Sequence, residues 1–247
     1  MRVKRRIFSG AVCEQEVFTV SDRIKDLGKA SPKLRFATEA ERDKHKIDIS
    51  RRKHARKVNA NFSPTSLYTT LTLDNDHEVH TFYEAKRIYE NYKKRLQYIN
   101  PDAQVMAHMG RGKNASRIHF HMLTNGLTAE DITIKWTAGS VVRIENLREN
   151  NKLADGTNVG RDYTGLANYL FDHWTPEQGG HRWRQTNNLK PPDREKPTVA
   201  RVKYTKERPP RMPAGWKLIE VKGNSFGYLY YKYVLIPEKK RTARQRE

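Results

Sequence analysis

In the stretch RIHFHMLTNG, residues 117–126, the apolar residues Ile118, Phe120 and Met122 alternate with Arg117, His119 and His121. A period of two marks a half-buried strand, because successive side chains on extended backbone project to opposite faces. No other segment constrains the fold as tightly. It requires a sheet with a packed core on one side and, on the other, a face from which two imidazoles project together. Two imidazoles one strand repeat apart suit chelation of a divalent cation. They equally suit a solvated strand face that holds no metal, since so short a motif recurs by chance.

The flanking segments supply partners for such a strand. SLYTTLTLDN sets Leu67, Leu71 and Leu73 against Tyr68, Thr70 and Thr72, a second half-buried strand whose Thr70 and Thr72 either line a site or decorate a polar face. TFYEAKRIYENYKKRLQYI places Phe82, Ala85, Ile88, Tyr89, Tyr92, Leu96 and Ile99 at helical spacing. QVMAHM reads as a strand, and GRGKNAS as the turn that joins it to RIHFHML in a hairpin. A short helix from Ala129 to Trp136, a strand at SVVRIENL and a helix opening at Asp162 in DYTGLANYLFDHW complete the series. Strand–helix–strand–strand–helix–strand is a split βαβ order. The expected fold class is therefore α+β, an antiparallel sheet with helices on one side and the metal and tyrosine helix on the other.

Before this core lie a short apolar patch, Ile7 to Val20, and the run ATEAERDKHKIDISRRKHARKVN, a helix or arm that is either a solvated face or a clamp on a phosphate backbone. After it come a Pro-, Arg- and Lys-rich stretch and two strand-like runs in GWKLIEVKGNSFGYLYYKYVLI. The expected division is a basic N-terminal extension over 1–60, a core over 61–190, a C-terminal strand hairpin packed on that core over 191–235 and a basic tail over 236–247.

Charge narrows the partner. A formal net charge of +20 favours a polyanion, since each cation docked on a phosphate releases a counterion. No apolar stretch is long enough to span a bilayer, and the start, MRVKRRIFSG, lacks the apolar segment of a secretory signal. The single cysteine, Cys13, excludes an internal disulfide framework and a Cys-built zinc site. These features lead us to expect a cytoplasmic nucleic-acid-binding protein with no membrane partner.

Two further groups bear on chemistry. His108 lies near the end of the partner strand of the hairpin, where it either supplies a third metal ligand or is an ordinary exposed histidine. Tyr163, Tyr169 and His173 fall on one predicted helix, and Tyr169 and His173, at i and i+4, share a face. A cation held by imidazoles can polarise a phosphodiester, and a tyrosine hydroxyl can attack its phosphorus to give a covalent intermediate. No D-x-D or similar carboxylate cluster, as a two-metal nuclease needs, stands near the histidines.

In order along the chain, SLYTTLTLDN, the HFH strand and the helix bearing ANYLFDH resemble the three motifs of HUH-superfamily rolling-circle replication initiators. The likeness is to the phage- and plasmid-type replication-associated proteins of bacteria, and it covers roughly residues 60–235. The segment HRWRQTNNLKPP is similar to a basic run that follows the tyrosine helix in many of them. The resemblance implies that His119 and His121 are metal ligands, that His108 stands where the third ligand usually is, and that Tyr169 is the nucleophile. It implies Mg²⁺ or Mn²⁺ as the metal and cleavage of one DNA strand at a replication origin through a 5′-phosphotyrosine. A free 3′ hydroxyl would be left for a host polymerase.

The chain departs from the family pattern at Asp172, where a lysine is expected. Either His173 takes over that lysine's duties, or Tyr163 is the nucleophile. Relaxases share the H-x-H but carry their tyrosine near the N-terminus, and no tyrosine precedes Tyr68 here. A relaxase, or a non-catalytic nucleic-acid-binding module on the same scaffold, is the alternative. Arg111, Lys113 and Arg117 around the hairpin turn, and Arg182, Trp183, Arg184 and Lys190 downstream, are candidate DNA contacts. Trp183 either stacks on an unpaired base or anchors the core. Because no G-x-x-x-x-G-K-[ST] occurs, duplex unwinding would fall to a host helicase or to supercoiling.

Overall fold

The computed structural model describes residues 1–20, 38–111, 117–173, 181–224 and 227–237. In chain order the elements are β1 (Arg2–Ser9), β2 (Val12–Thr19), α1 (Glu39–Asn61), β3 (Leu67–Leu73), α2 (Phe82–Ile99), β4 (Gln104–Arg111), β5 (Ile118–Asn125), α3 (Ala129–Lys135) and β6 (Gly139–Asn146). They continue with β7 (Asn150–Lys152), β8 (Asn158–Gly160), α4 (Thr164–Asp172), β9 (Arg184–Gln185), β10 (Asp193–Arg194), β11 (Thr198–Val199), β12 (Trp216–Gly223) and β13 (Leu229–Leu235). The architecture is α+β, built on antiparallel sheets and four helices among the described residues. No helix among them is long and apolar enough to cross a membrane.

The chain divides into two units. The first joins residues 1–36, 150–162 and 192–247, and the second joins 37–149 and 163–191. This corrects the expected division. The N-terminal sixty residues do not form one extension, because β1 and β2 belong with the C-terminal strands while α1 belongs with the core. The C-terminal hairpin, expected as a separate segment, belongs to the sheet that β1 and β2 begin, β13 pairing with β2 from Leu229↔Val17 to Val234↔Val12.

In the first unit the sheet order is β10-β1-β2-β13-β12, with β11 also on β1. Gly10, at φ 59, turns the β1–β2 hairpin in a conformation that costs a glycine nothing. Charged side chains are paired across the strands. Arg5 stands opposite Glu16 and ion-pairs with it, Tyr230 donates to Glu14 at 2.8 Å, and Lys232 pairs with Asp162 at 2.6 Å. Cys13 is fully buried, and burial pushes its thiol up to about 12, so it is no nucleophile.

The second unit holds a sheet in the order β6-β3-β5-β4-β9. Alternation assigns its two faces. Leu71, Met109, Phe120 and Met122 pack with Phe82, Ala85, Tyr89 and Tyr92 of α2 and Ile132 of α3. Tyr68, Met106 and Leu123 face the other way and pack with Ala55 and Val58 of α1 and Ala167 and Leu170 of α4. Helices therefore cover both faces of this sheet. Burying a side chain such as Phe120 or Leu71 contributes about 2 kcal/mol.

Candidate metal centre

The centre lies on the α1/α4 face of β5. His119 and His121 project from one strand face, their ring centroids 4.8 Å apart, while Ile118, Phe120 and Met122 are fully buried behind them. The third imidazole comes from the residue that caps the C-terminus of α4, His173, which lies 4.5 Å from His121 and 5.9 Å from His119, centroid to centroid. One ring nitrogen from each of His119, His121 and His173 falls within 4.8 Å of the others, so this cluster can hold a metal ion.

The hydrogen bonds leave lone pairs facing inward. His173 Nδ1 donates to the Tyr169 carbonyl at 2.8 Å. A carbonyl only accepts, so the neutral ring carries its free lone pair on Nε2. His121 Nδ1 meets the Tyr68 hydroxyl at 2.8 Å and Thr70 Oγ1 at 3.2 Å, while its buried Nε2 has no partner. An orphaned buried nitrogen between two other imidazoles is what a cation ligand looks like before the cation arrives. Burial, then the neighbouring His173 and His119, pushes His121 down to about 3. Burial followed by His173 lowers His119, against a hydrogen bond to the backbone at Arg117. Neutral rings are the form that binds metal.

His108, the expected third ligand, is not in this cluster. It stands opposite His121 on β4, but its Nε2 lies 2.9 Å from His54 Nε2 of α1, and the two rings are 1% and 0% exposed. The correction has a simple cause. α1 packs over β4 and supplies a second imidazole that captures the first. Burial pushes His54 down to about 4 and His108 well below its ordinary range, the latter also repelled by His54. Below pH 6.5 the unfolded chain takes up protons that the folded pair refuses, so stability is full above pH 6.5 and falls towards pH 4. For His54 alone the loss reaches about 3 kcal/mol. Urea unfolding at pH 7 and pH 4.5 checks this, the expected result being a smaller loss in His54→Gln than in the parent protein.

Helix α4 owes its placement to α1. The residue that caps its N-terminus, Tyr163, offers no side-chain cap bond, and the Tyr163 N–H donates instead to Asn59 Oδ1 at 2.8 Å. At the other end Arg51 grips Asp172 with bonds of 2.8 and 2.6 Å. At about 1.5 Å rise per residue, Asn59 and Arg51 stand about 12 Å apart along α1, matching the length of α4. Asp172 thus serves as an anchor, its carboxyl held low by the hydrogen-bonded Arg51.

Tyr169 projects from α4 onto the site. Its ring lies 4.4 Å from His173 and 5.8 Å from His121, and it is 52% exposed. Tyr163, the alternative nucleophile, is buried at 4% exposure and donates its hydroxyl to the Arg148 carbonyl at 3.0 Å.

The basic candidates scatter. Arg182 and Arg51 both lie over the Phe171 ring near the end of α4, 4.5 and 4.9 Å from its centroid. Trp183 is the core anchor of the two readings, its ring 4.7 Å from His54 and its N–H bonded to Gln185. Arg184 pairs β9 with β4 through Ala107. Lys190 is exposed on a backbone fixed by Asn61. Arg111 bonds the His80 carbonyl, and Arg117 bonds Asn75 and lies 3.6 Å from Glu78, so both are tied to the β3–α2 loop. Lys113 lies outside the described residues. Thr72, the strand partner of His119, donates its hydroxyl to the Ser140 carbonyl at 3.5 Å.

Sequence reasoning missed three contributors. Gly110 stands opposite His119, and a Cβ there would meet His173 Cδ2 at 3.0 Å and His119 Nε2 at 3.2 Å, so a side chain would wedge the two rings apart. Arg143 of β6 lies over the Tyr68 ring at 5.8 Å, a cation near the tyrosine pair. Tyr68 orients His121. Removing an outer partner of this kind weakens metal affinity 10- to 100-fold as an order of magnitude. Tyr68→Phe is expected to weaken Mn²⁺ binding within about that range, as read by calorimetric titration. No family model, curated protein or solved structure matches this chain.

Proposed function

We propose that the protein is a metal-dependent DNA strand transferase of the HUH type, which nicks and rejoins single-stranded DNA to start rolling-circle replication of a phage, plasmid or related element. The observation that carries this reading is the meeting of three inward-facing imidazoles with a tyrosine on the same helix as one of them. The strand order β6-β3-β5-β4, reached through β–α–β–β–α–β, supports a split βαβ core of the kind the motifs implied.

His119, His121 and His173 would hold the cation. Three protein ligands leave coordination positions for a substrate oxygen, as catalytic rather than structural sites do. Nitrogen donors suit Mn²⁺ better than Mg²⁺, which prefers oxygen. When bound, the metal supplies Lewis-acid polarisation of the scissile phosphate. The Tyr169 oxygen then bonds to phosphorus, the bond to the 3′ oxygen breaks, and that oxygen takes up a proton as the phenol loses one. The 5′ phosphate stays on Tyr169 until a 3′ hydroxyl reverses the step. On this reading Arg182, and Arg143 once released from its ion pair with Glu145, would steady the strand's phosphates. A bacterial cytoplasm, where host helicase and polymerase are at hand, is the setting this reading requires.

The test is incubation with circular single-stranded DNA and Mn²⁺, followed by denaturing electrophoresis and mass mapping of any adduct. The reading expects a covalent adduct on Tyr169 that needs metal. DNA binding with neither adduct nor cleavage across a library of sequences would leave a binding module.

A further inference from the structure

The histidine cluster sits in the less basic of the two units. The unit of residues 1–36, 150–162 and 192–247 holds 26 of the 48 Lys and Arg but only 12 of the 28 Asp and Glu, a net +14 of the chain's +20. Nothing in the catalytic reading uses that charge. Part of it lies between Arg194 and Arg211, where seven Lys or Arg face two Glu.

This stretch builds a groove. Strand β11 pairs with β1 so that Thr198 stands opposite Lys4 and Val199 opposite Val3. Lys4, Thr198 and Val199, with Pro197, Arg201 and Tyr204, line a groove of about 570 Å³. Lys4 Nζ donates to the Tyr204 hydroxyl at 3.4 Å and lies 5.8 Å from its ring centre, which holds the ammonium in the groove. The Tyr204 ring in turn packs on the Cys13, Tyr231 and Tyr233 cluster, giving the groove a fixed floor. No acidic side chain lines it, and neither Lys4 nor Arg201 makes an ion pair among the described residues. Val199, 50% exposed, and Val202, 41% exposed, form apolar walls.

We propose that this groove is a second nucleic-acid site, in which Lys4 and Arg201 hold consecutive phosphates of a single DNA strand. An unpaired cation pair with a hydroxyl between apolar walls fits a phosphodiester backbone, whose bases can rest on valine and proline while its phosphates meet the cations. The proposal rests on DNA being the substrate. It does not depend on the nucleophile or the metal.

The test uses the full chain and a fluorescent single-stranded oligonucleotide, with affinity measured by anisotropy over a salt series. Each neutralised phosphate contributes about 0.7 to the slope of log affinity against log salt. The double variant Lys4→Gln/Arg201→Gln is expected to bind roughly tenfold more weakly at low salt, with a slope shallower by about 1.4. Restoring the charge as Lys4→Arg/Arg201→Lys should restore the slope, which a purely structural role would not do. Unchanged affinity and slope in the double variant, at an unchanged melting temperature, would overturn the proposal. So would binding to anionic lipid vesicles that depends on Lys4 and Arg201 while DNA binding does not. If no protein forms an adduct yet the slope still changes, the catalytic reading fails and the groove stands.

Discussion

Replacing Tyr169 by Phe is expected to take the covalent protein–DNA adduct below detection while Mn²⁺ affinity, DNA affinity and melting temperature stay at their parent values. The change removes one oxygen. That oxygen has no hydrogen-bond partner among the described residues, and the ring that carries it is 52% exposed. Surface changes of this sort shift stability by about 0.5 kcal/mol or less. The ring contacts to His173 and His121 survive, so the cluster keeps its shape. Tyr163→Phe is the contrasting case. It deletes a hydroxyl that donates to the Arg148 carbonyl inside the core, so it should cost about 1 kcal/mol and leave the adduct intact. Denaturing gels of the two variants beside the parent separate the alternatives. An adduct that survives Tyr169→Phe but disappears in folded Tyr163→Phe would reverse the assignment of the nucleophile.

What was legible in the sequence was periodic and local. The alternation of Ile118, Phe120 and Met122 with His119 and His121 specified a strand, its buried face and the side from which the imidazoles project, because a period of two leaves no other arrangement with a dry core. The i, i+4 relation of Tyr169 and His173 likewise placed both on one side of α4. What was not legible was long-range. Nothing local says that Val17 pairs with Leu229, so a unit assembled from three separate stretches could not be read as one. The β1–β2 hairpin was hidden because Glu14 and Glu16 are buried at positions that a hydrophobic pattern marks as polar. Tyr230 and Arg5, the latter ion-paired across the hairpin, satisfy them. Gly110 carries no chemistry of its own, and its importance is the space it leaves between His119 and His173.

The choice of third ligand shows the same limit, and it has the second large consequence. His108 and His173 both lie near His121, one as its strand neighbour and the other across a helix–sheet contact. Strand spacing favoured His108. The outcome turned on α1, which presents His54 to His108 and, through Asn59 and Arg51, holds α4 where His173 can reach the cluster. His173→Ala should therefore weaken Mn²⁺ binding by more than about a hundredfold, the upper end of what outer partners achieve, and abolish metal-dependent cleavage. Because His173 is only partly buried at the end of α4, its stability cost should stay near about 1 kcal/mol. His108→Ala should do the reverse. It empties a buried site and leaves His54 without its partner, so it should cost about 2 kcal/mol or more, while the surviving folded protein binds Mn²⁺ within about tenfold of the parent. Calorimetric metal titration and urea unfolding on the same two proteins read both quantities. Loss of metal affinity in His108→Ala, with affinity retained in His173→Ala, would mean that the hairpin supplies the third nitrogen after all. The His54–His108 contact would then have to open when metal binds.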